Sequence, residues 1–236
     1  ARSNVLSGIV NGIDYAEFNP ETDPALAQHY SVETLERRIE NKRALQREAG
    51  LPQDDGAMLF GVVTRLWAQK GIDLVPPAFE KLLARKVQLA VLGTGDEQVH
   101  DMLQRLEAEH PHQMKVWLDF NPPLGQRIYG GCDCFLMPSR YEPCGLGQLI
   151  SLRYGAVPLV RRTGGLADTV QDADLPLRSG NGFVFGAANA HELEQACERA
   201  LAAFENQQGW RAIQERGMRQ DWSWGHAAGA YAGLYE

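Results

Sequence analysis

The sequence predicts an α/β fold, a doubly wound parallel sheet followed by C-terminal helices. From residue 58 onward, short apolar runs alternate with amphipathic helical stretches, which is typical of strands that helices bury on both faces. Polar and glycine-rich loops follow several of the apolar runs, where ligands bind in such sheets. The chain has 236 residues, of which 44% are hydrophobic, so it can bury a substantial core.

Six apolar runs are predicted to be strands. They are residues 58–63, 87–92, 115–118, 134–137, 156–160 and 182–185. Five stretches between them have helical spacing. They are residues 76–84, 97–109, 124–131, 145–154 and 166–170. We therefore predict a Rossmann-like core over residues 56–190.

The segment 1–55 is polar and irregular, with one predicted helix. Ser31 is suited to the N-cap of that helix, although Thr34 stands where a capping box would have Glu. Gly50, followed by a leucine and a proline, ends the helical pattern.

The tail, residues 191–236, has the pattern of helices only. Trp224, Ala228, Tyr231 and Tyr235 lie at helical spacing and predict an apolar stripe along the last helix. We expect this helix to be poorly tied down.

Charge and composition exclude several classes of function. Lys plus Arg number 23 against 30 Asp plus Glu, and a net charge of −7 disfavours nucleic acid and anionic membranes as partners. No apolar run is long enough to span a membrane, and the first residues lack the apolar core of a signal peptide. The four cysteines have the spacing of neither a disulfide framework nor a zinc site, which favours a reducing intracellular compartment and predicts no metal site. They are Cys132, Cys134, Cys144 and Cys197.

Arg65 and Lys70 are two cations on the short loop after the first predicted strand. They could clamp a phosphate or diphosphate, with Arg providing a fork and Lys a point charge. From their spacing alone, ordinary surface cations are the better interpretation, since helix starts usually favour acids over bases.

The loop after the second strand only superficially resembles a dinucleotide fingerprint. Gly93 and Gly95 are present, but Gln98 occupies the third glycine position. A tight turn with Asp96 capping the next helix is the better interpretation. A hydride-transfer enzyme is therefore disfavoured.

The loop after the fourth strand carries the richest chemistry. Pro143 keeps Glu142 out of the α region, and Gly145 is predicted to open a helix whose first amides could bind an anion. Glu142 could accept hydrogen bonds from sugar hydroxyls, or it could simply suit the helix dipole.

The loop after the fifth strand contains Thr163, Gly164 and Gly165. The glycine pair would let the backbone approach a ligand closely, but an ordinary turn explains it equally well.

Taken together, these motifs resemble the bacterial glycogen synthases and plant starch synthases, and the similarity extends over the whole chain in order. The longest shared runs are Pro-Ser-Arg-Tyr-Glu-Pro-Cys-Gly-Leu from residue 138 and Arg-Arg-Thr-Gly-Gly-Leu-Ala-Asp-Thr-Val from residue 161. Further matches are residues 11–14, 65–66, 69–71, 73–74, 93–96, 183 and 185.

The resemblance implies the C-terminal, nucleotide-sugar-binding domain of a GT-B glycosyltransferase of family 5. Such enzymes extend an α-1,4-glucan from ADP-glucose with retention of configuration, without a cofactor or metal. The family places much of the acceptor groove on an N-terminal domain that this chain does not match, so the chain by itself is expected to be inactive. A bacterial cytoplasm is the expected location, with a plastid as the alternative.

The resemblance also assigns roles to individual residues. The catalytic residues would be Arg65, Lys70 and Glu142. Arg65 and Lys70 would bind the diphosphate and stabilise the leaving ADP, and Glu142 would hold the glucose hydroxyls. Phe120 would stack on adenine. The remaining predicted contacts to the nucleotide sugar are Cys144, Gly145, Leu146, Gly147, Thr163, Gly164 and Gly165. The chain departs from the family at Gly147, where a Thr is usual, which leaves the fine positioning of the ligand open.

Two other functions stay open at this point. The chain could be a non-catalytic ADP-binding or regulatory module, or a GT-B enzyme that uses UDP-glucose. Base preference would distinguish the second of these.

Overall fold

The computed structural model describes residues 7–174 and 176–235, and a six-stranded parallel sheet lies at its centre. The strands are β1 (Met58–Val63), β2 (Val87–Leu92), β3 (Met114–Trp117), β4 (Cys134–Met137), β5 (Val157–Arg161) and β6 (Phe183–Phe185). All six predicted strands are confirmed, each within one residue at either end.

The strand order is β3-β2-β1-β4-β5-β6, and every neighbouring pair is parallel. From β1 the chain first builds outward through β2 and β3, and it then returns to the other side of β1 for β4. The order therefore reverses between β1 and β4. In open α/β sheets this reversal opens a crevice beyond the carboxyl ends of the two strands.

Nine α-helices accompany the sheet in the described part of the chain. They are α1 (Ile39–Glu48), α2 (Val75–Leu82), α3 (Glu97–Glu109), α4 (Pro122–Gly131), α5 (Gly147–Arg153), α6 (Gly164–Thr169), α7 (Ala190–Glu205), α8 (Gln207–Met218) and α9 (Trp224–Ala232).

The helices bury both faces of the sheet. On one face, alternate strand residues such as Phe60 and Leu89 pack with α2, α3 and α7, as in the T-shaped contact of Phe60 with Phe79. On the other face, Leu59 and Phe135 pack with α1, α4 and α5. This two-sided burial explains why β1, β4 and β6 are continuous apolar runs, whereas Gln88 and Lys115 interrupt β2 and β3.

The predicted capping at Ser31 is present. Its hydroxyl accepts from the amide of Glu33, and the Thr34 hydroxyl accepts from the amide of Ser31, so Thr fills the place of the usual Glu. The first turns, Val32–Arg38, form a 3-10 helix before regular α-helix begins at Ile39.

The regular elements in the described part of the tail are all helices, as predicted, and Ser223 also forms an isolated β-bridge with Ile13. In α9, Trp224 and Tyr231 are exposed, and so is Tyr235 just beyond it, so the apolar stripe faces outward. None of the helices in residues 7–174 and 176–235 is long and apolar enough to cross a membrane.

Candidate active site

The loops that leave β1 and β4 lie side by side at the crevice. The backbone amide of Arg140 donates to the carbonyl of Gln69 over 2.8 Å. Gly71 has a positive φ of 66°, and a Cβ on it would lie 2.1 Å from the carbonyl oxygen of Pro138. A glycine is therefore required for the two loops to approach this closely.

Lys70 and Glu142 meet across these two loops. The Lys70 ammonium lies 2.5 Å from Oε2 of Glu142, and the Ser139 hydroxyl donates to the same oxygen over 3.2 Å. Glu142 is only 6% exposed. The structure thus pairs the Glu142 carboxylate with a lysine and a serine, and its predicted role as a sugar ligand stays a prediction.

Arg65 lies on the same loop as Lys70 but in a different environment. It is exposed, and among the described residues its guanidinium has no salt-bridge or hydrogen-bond partner. It lines a largely apolar cleft of about 410 Å³ together with Thr94, Phe120 and Tyr129. The apolar wall of the cleft lies beside the Arg65 guanidinium, an arrangement that suits a ligand in which a planar base is attached to an anionic group.

Phe120 stands at the rim of this cleft and is 81% exposed. It precedes α4, whose first turn is fixed by Asn121, since the Asn121 side chain accepts from the amide of Leu124 over 3.0 Å. An aromatic ring held at the start of a capped helix, with its face open, is suited to stacking. Lys70 and Glu142 are not among the residues that line this cleft in the described chain, so the site has two adjoining parts.

One prediction about the β4 loop is wrong. Gly145 does not open α5, because its φ of 75° is left-handed and the helix begins at Gly147. Leu146 is the N-cap and is exposed. The backbone from 143 to 146 is therefore a turn stabilised by Gln148, a fully buried side chain whose amide donates to the carbonyls of Cys144 and Gly145.

The loop from 163 to 165 packs directly on this turn. The amide of Gly165 donates to the carbonyl of Glu142 over 3.1 Å. A Cβ at Gly164 would lie 2.0 Å from the carbonyl oxygen of Glu142, and one at Gly165 would lie 2.1 Å from that of Cys144. Thr163 occupies the N-cap position of α6, which begins at Gly164, two residues earlier than predicted. The glycine pair thus brings two loop backbones together at the site.

At Gly147 the structure leaves little room for the Thr that is usual in the resembled family. An added Cβ would lie 3.2 Å from Phe135 Cε1 and 3.3 Å from both Met137 Sδ and the Tyr129 hydroxyl. The surrounding side chains therefore already fill this position.

The cysteines fall into two groups. Burial raises the pKa of the Cys132 thiol to about 12 and raises those of Cys134 and Cys197 as well, so these three stay protonated near neutral pH. Cys144 is only partly buried, and its sulfur accepts from the amide of Asn11 over 3.4 Å. The described residues contain no group of three or more His, Cys, Asp or Glu side chains placed to hold a metal.

The turn after β2 is confirmed as a cap. The Asp96 carboxylate accepts from the amide of Gln98 over 2.8 Å at the start of α3. The same turn supports the β1 loop, since the amide of Leu66 donates to Thr94 and the amide of Asp96 donates back to Leu66. Its role is thus to hold the backbone next to Arg65.

The structure adds residues to which the sequence assigned no role. Arg140 and Asp73 form an ion pair between the β1 and β4 loops, and Arg161 at the end of β5 donates to the carbonyl of Ser139. Arg140 and Arg161 are cations at the carboxyl ends of strands, which is the signal that could have singled them out.

The family model for glycosyl transferases group 1 matches residues 42–215. The chain is 48% identical over its whole length to a glycogen synthase from Geobacillus thermodenitrificans and 50% identical to one from Syntrophotalea carbinolica. In both comparisons it spans 49% of the relative, so it covers about half the length of these curated relatives.

A solved structure gives a similar result. The catalytic domain of starch synthase IV from Arabidopsis thaliana, bound to ADP and acarbose, superposes with a TM-score of 0.88 at 35% sequence identity. The match covers 95% of this chain and 47% of that one.

Proposed function

The chain belongs to the group 1 glycosyl transferases, and on that premise we propose that it is the donor-binding half of an α-glucan synthase. The full enzyme would transfer glucose from ADP-glucose to the non-reducing end of an α-1,4-glucan. The similarity to glycogen synthases and to an ADP-bound starch synthase supports this choice of donor and product.

The observation that carries the proposal is the contact of Lys70 with Glu142 in the crevice, with Arg65 on the same loop. Phe120 would stack on adenine, and Arg65 would meet the phosphates at the edge of the apolar cleft. Lys70 would bind the distal phosphate, and Glu142 would accept hydrogen bonds from the glucose hydroxyls beside it. The amides of residues 145–147 and the loop 163–165 would complete the enclosure.

These groups suit the departure of a diphosphate. When the bond between glucose C1 and the diphosphate oxygen breaks, negative charge accumulates on the leaving ADP. Arg65 and Lys70 would stabilise that charge in the transition state more than in the ground state, and Lys70 is already held in place by Glu142.

Retention of configuration follows from attack on the face that the diphosphate leaves. The acceptor hydroxyl oxygen bonds to C1 as the C1–diphosphate bond breaks, and its proton passes to the departing diphosphate. The Glu142 carboxylate is already held by Lys70 and Ser139, which suits an acceptor of sugar hydroxyls better than a free nucleophile.

Since the chain covers about half of its relatives, the glucan would be held largely by the other half of the enzyme. We therefore infer that the 236-residue polypeptide binds the nucleotide but does not elongate glucan by itself.

Calorimetric titration with ADP and AMP tests the proposed diphosphate contacts. Arg65→Ala and Lys70→Ala should each weaken ADP binding more than AMP binding, because a charge-assisted hydrogen bond contributes about 1.5–3 kcal/mol. Lys86→Ala, which changes an exposed lysine paired with Asp54, is the control and should leave both affinities unchanged. The assignment fails if both site variants bind ADP as the unaltered chain does, and preference for UDP over ADP would point to a different donor.

A further inference from the structure

Arg140 forms a two-point ion pair with Asp73. Its Nη1 lies 2.6 Å from Oδ1, and its Nη2 lies 2.7 Å from Oδ2. Hydrogen bonding to Asp73 raises the pKa of Arg140, so the guanidinium stays charged. A planar fork on a carboxylate fixes the relative orientation of the two groups, which a single contact cannot do.

The same arginine is bonded to the β1 loop at two further points. Its backbone amide donates to the carbonyl of Gln69, and its Nη1 donates to the carbonyl of Ala68 over 2.7 Å. Lys70 lies between these partners and Asp73 in the sequence, and Glu142 lies two residues after Arg140. The contacts of Arg140 therefore flank Lys70 on both sides in the sequence, and Arg140 itself lies two residues before Glu142.

Arg161 holds the Arg140 segment from the opposite side. Its Nε donates to the carbonyl of Ser139 over 2.8 Å, and its Nη2 donates to the carbonyl of Arg140. The β4 loop is thus anchored to β5, and the Arg140 fork then anchors the β1 loop to it.

We propose that the Arg140–Asp73 pair is a positioning clamp that holds the Lys70 ammonium at Glu142 and so presets the cation for the donor diphosphate. A lysine side chain is long and flexible, so its ammonium group has a defined position only where the backbone of the residue is held in place. Lys70 follows β1 and Glu142 follows β4, and the Arg140–Asp73 ion pair joins these two loops. The identity of the ligand rests on the proposed function, whereas the hold on Lys70 is a property of the chain alone.

The first test measures how fast the Lys70 amine is acylated in the absence of any ligand. Lys70 is 16% exposed in its ion pair, against 76% for Lys81. Brief acylation with an amine-reactive ester, resolved by peptide mass spectrometry, should modify Lys70 about three- to tenfold faster in Asp73→Ala and in Arg140→Gln, with Lys81 unchanged.

The chain offers a matched control. Arg127 and Glu48 form a comparable fork, with both distances 2.7 Å and exposures of 29% and 36% against 37% and 33% for Arg140 and Asp73. Glu48→Ala should leave the labelling of Lys70 unchanged. An unchanged rate in both clamp variants, or an equal rise in Glu48→Ala, overturns the proposal.

The second test is a double-mutant cycle on ADP affinity. Asp73→Ala should weaken ADP binding about three- to tenfold in the unaltered chain and have almost no effect in the Lys70→Ala background, because the clamp acts through Lys70. The same loss in both backgrounds contradicts the clamp. A thermal melt identifies any variant that fails to fold. If Asp73→Ala fails to fold, Arg140→Gln replaces it in the cycle, since it removes the other member of the ion pair.

The two proposals fail separately. If the unaltered chain binds no ADP, the proposed function falls, and the labelling rates still decide whether Arg140 and Asp73 position Lys70.

Discussion

Phe120 is a large apolar side chain that the fold leaves almost entirely open. A ring that is 81% exposed contributes little to the core, so its removal should hardly change stability. We expect Phe120→Ala to weaken ADP and AMP binding to a similar extent, since stacking on a base contributes about 1–3 kcal/mol, and to spare inorganic diphosphate.

Titration of the three ligands checks this expectation, with Phe120→Trp as the variant that retains an aromatic face. A loss of diphosphate affinity equal to the loss for ADP would show that the substitution had disturbed the site as a whole.

Lys70 and Glu142 illustrate what could be predicted at the level of single residues. Each was recognisable from its position after an apolar run and from the motif around it. The contact between them could not be predicted from the sequence, because it joins residues 72 positions apart and depends on which strands become neighbours in the sheet. The Arg140–Asp73 pair escaped prediction for the same reason.

At the scale of whole elements, the loop before α6 packs against the loop after β4. Gly165 permits this close packing because it has no side chain. A methyl group at Gly165 would meet the Cys144 carbonyl at 2.1 Å, so the two loops would have to separate. We expect Gly165→Ala to lower the free energy of unfolding by about 1–3 kcal/mol and to weaken ADP binding.

Urea unfolding measures the first effect. Gly229→Ala is the matched control, because nothing lies within 4 Å of its added Cβ and it sits in a helix, where Ala is preferred to Gly. Equal stability of the two variants would mean that the loops tolerate separation.

The exposed stripe on α9 is the second feature at this scale. Trp224 and Tyr231 are exposed, Tyr235 beyond the helix is 90% exposed, and Ala227 is the buried residue of the helix. We expect fast amide exchange over residues 225–235 compared with α7, since few buried contacts hold this helix. Exchange as slow as in α7, in a chain shown to be monomeric, would contradict this.

Most elements could be predicted from the sequence because burial on two faces gives the strands mostly apolar side chains. The errors lie where a local conformation overrides the pattern. Residues 145–154 have helical spacing, but Gly145 is left-handed and delays α5 to Gly147. The 3-10 turns at Val32–Arg38 could not be told from α-helix by spacing alone.

At the scale of the whole molecule, the proposed ligand groups lie together at the switch point of the sheet. The cleft with Arg65 and Phe120 adjoins the Lys70–Glu142 pair, an arrangement that would fit the proposed donor of a base, a diphosphate and a sugar. The acceptor glucan must also be held within bonding reach of C1 of the donor glucose. Orientation of both substrates can lower the activation free energy by about 7–11 kcal/mol. A donor half alone should therefore bind without transferring.

The decisive measurement is the transfer of radiolabelled glucose from ADP-glucose to glycogen. The chain would be assayed alone and fused to the amino-terminal half of the Geobacillus thermodenitrificans glycogen synthase, its 48% identical relative. We expect no incorporation by the chain alone, transfer by the fusion, and a large loss of that transfer on Lys70→Ala. Incorporation by the chain alone at the rate of the fusion, or a fusion indifferent to Lys70→Ala, would contradict this expectation.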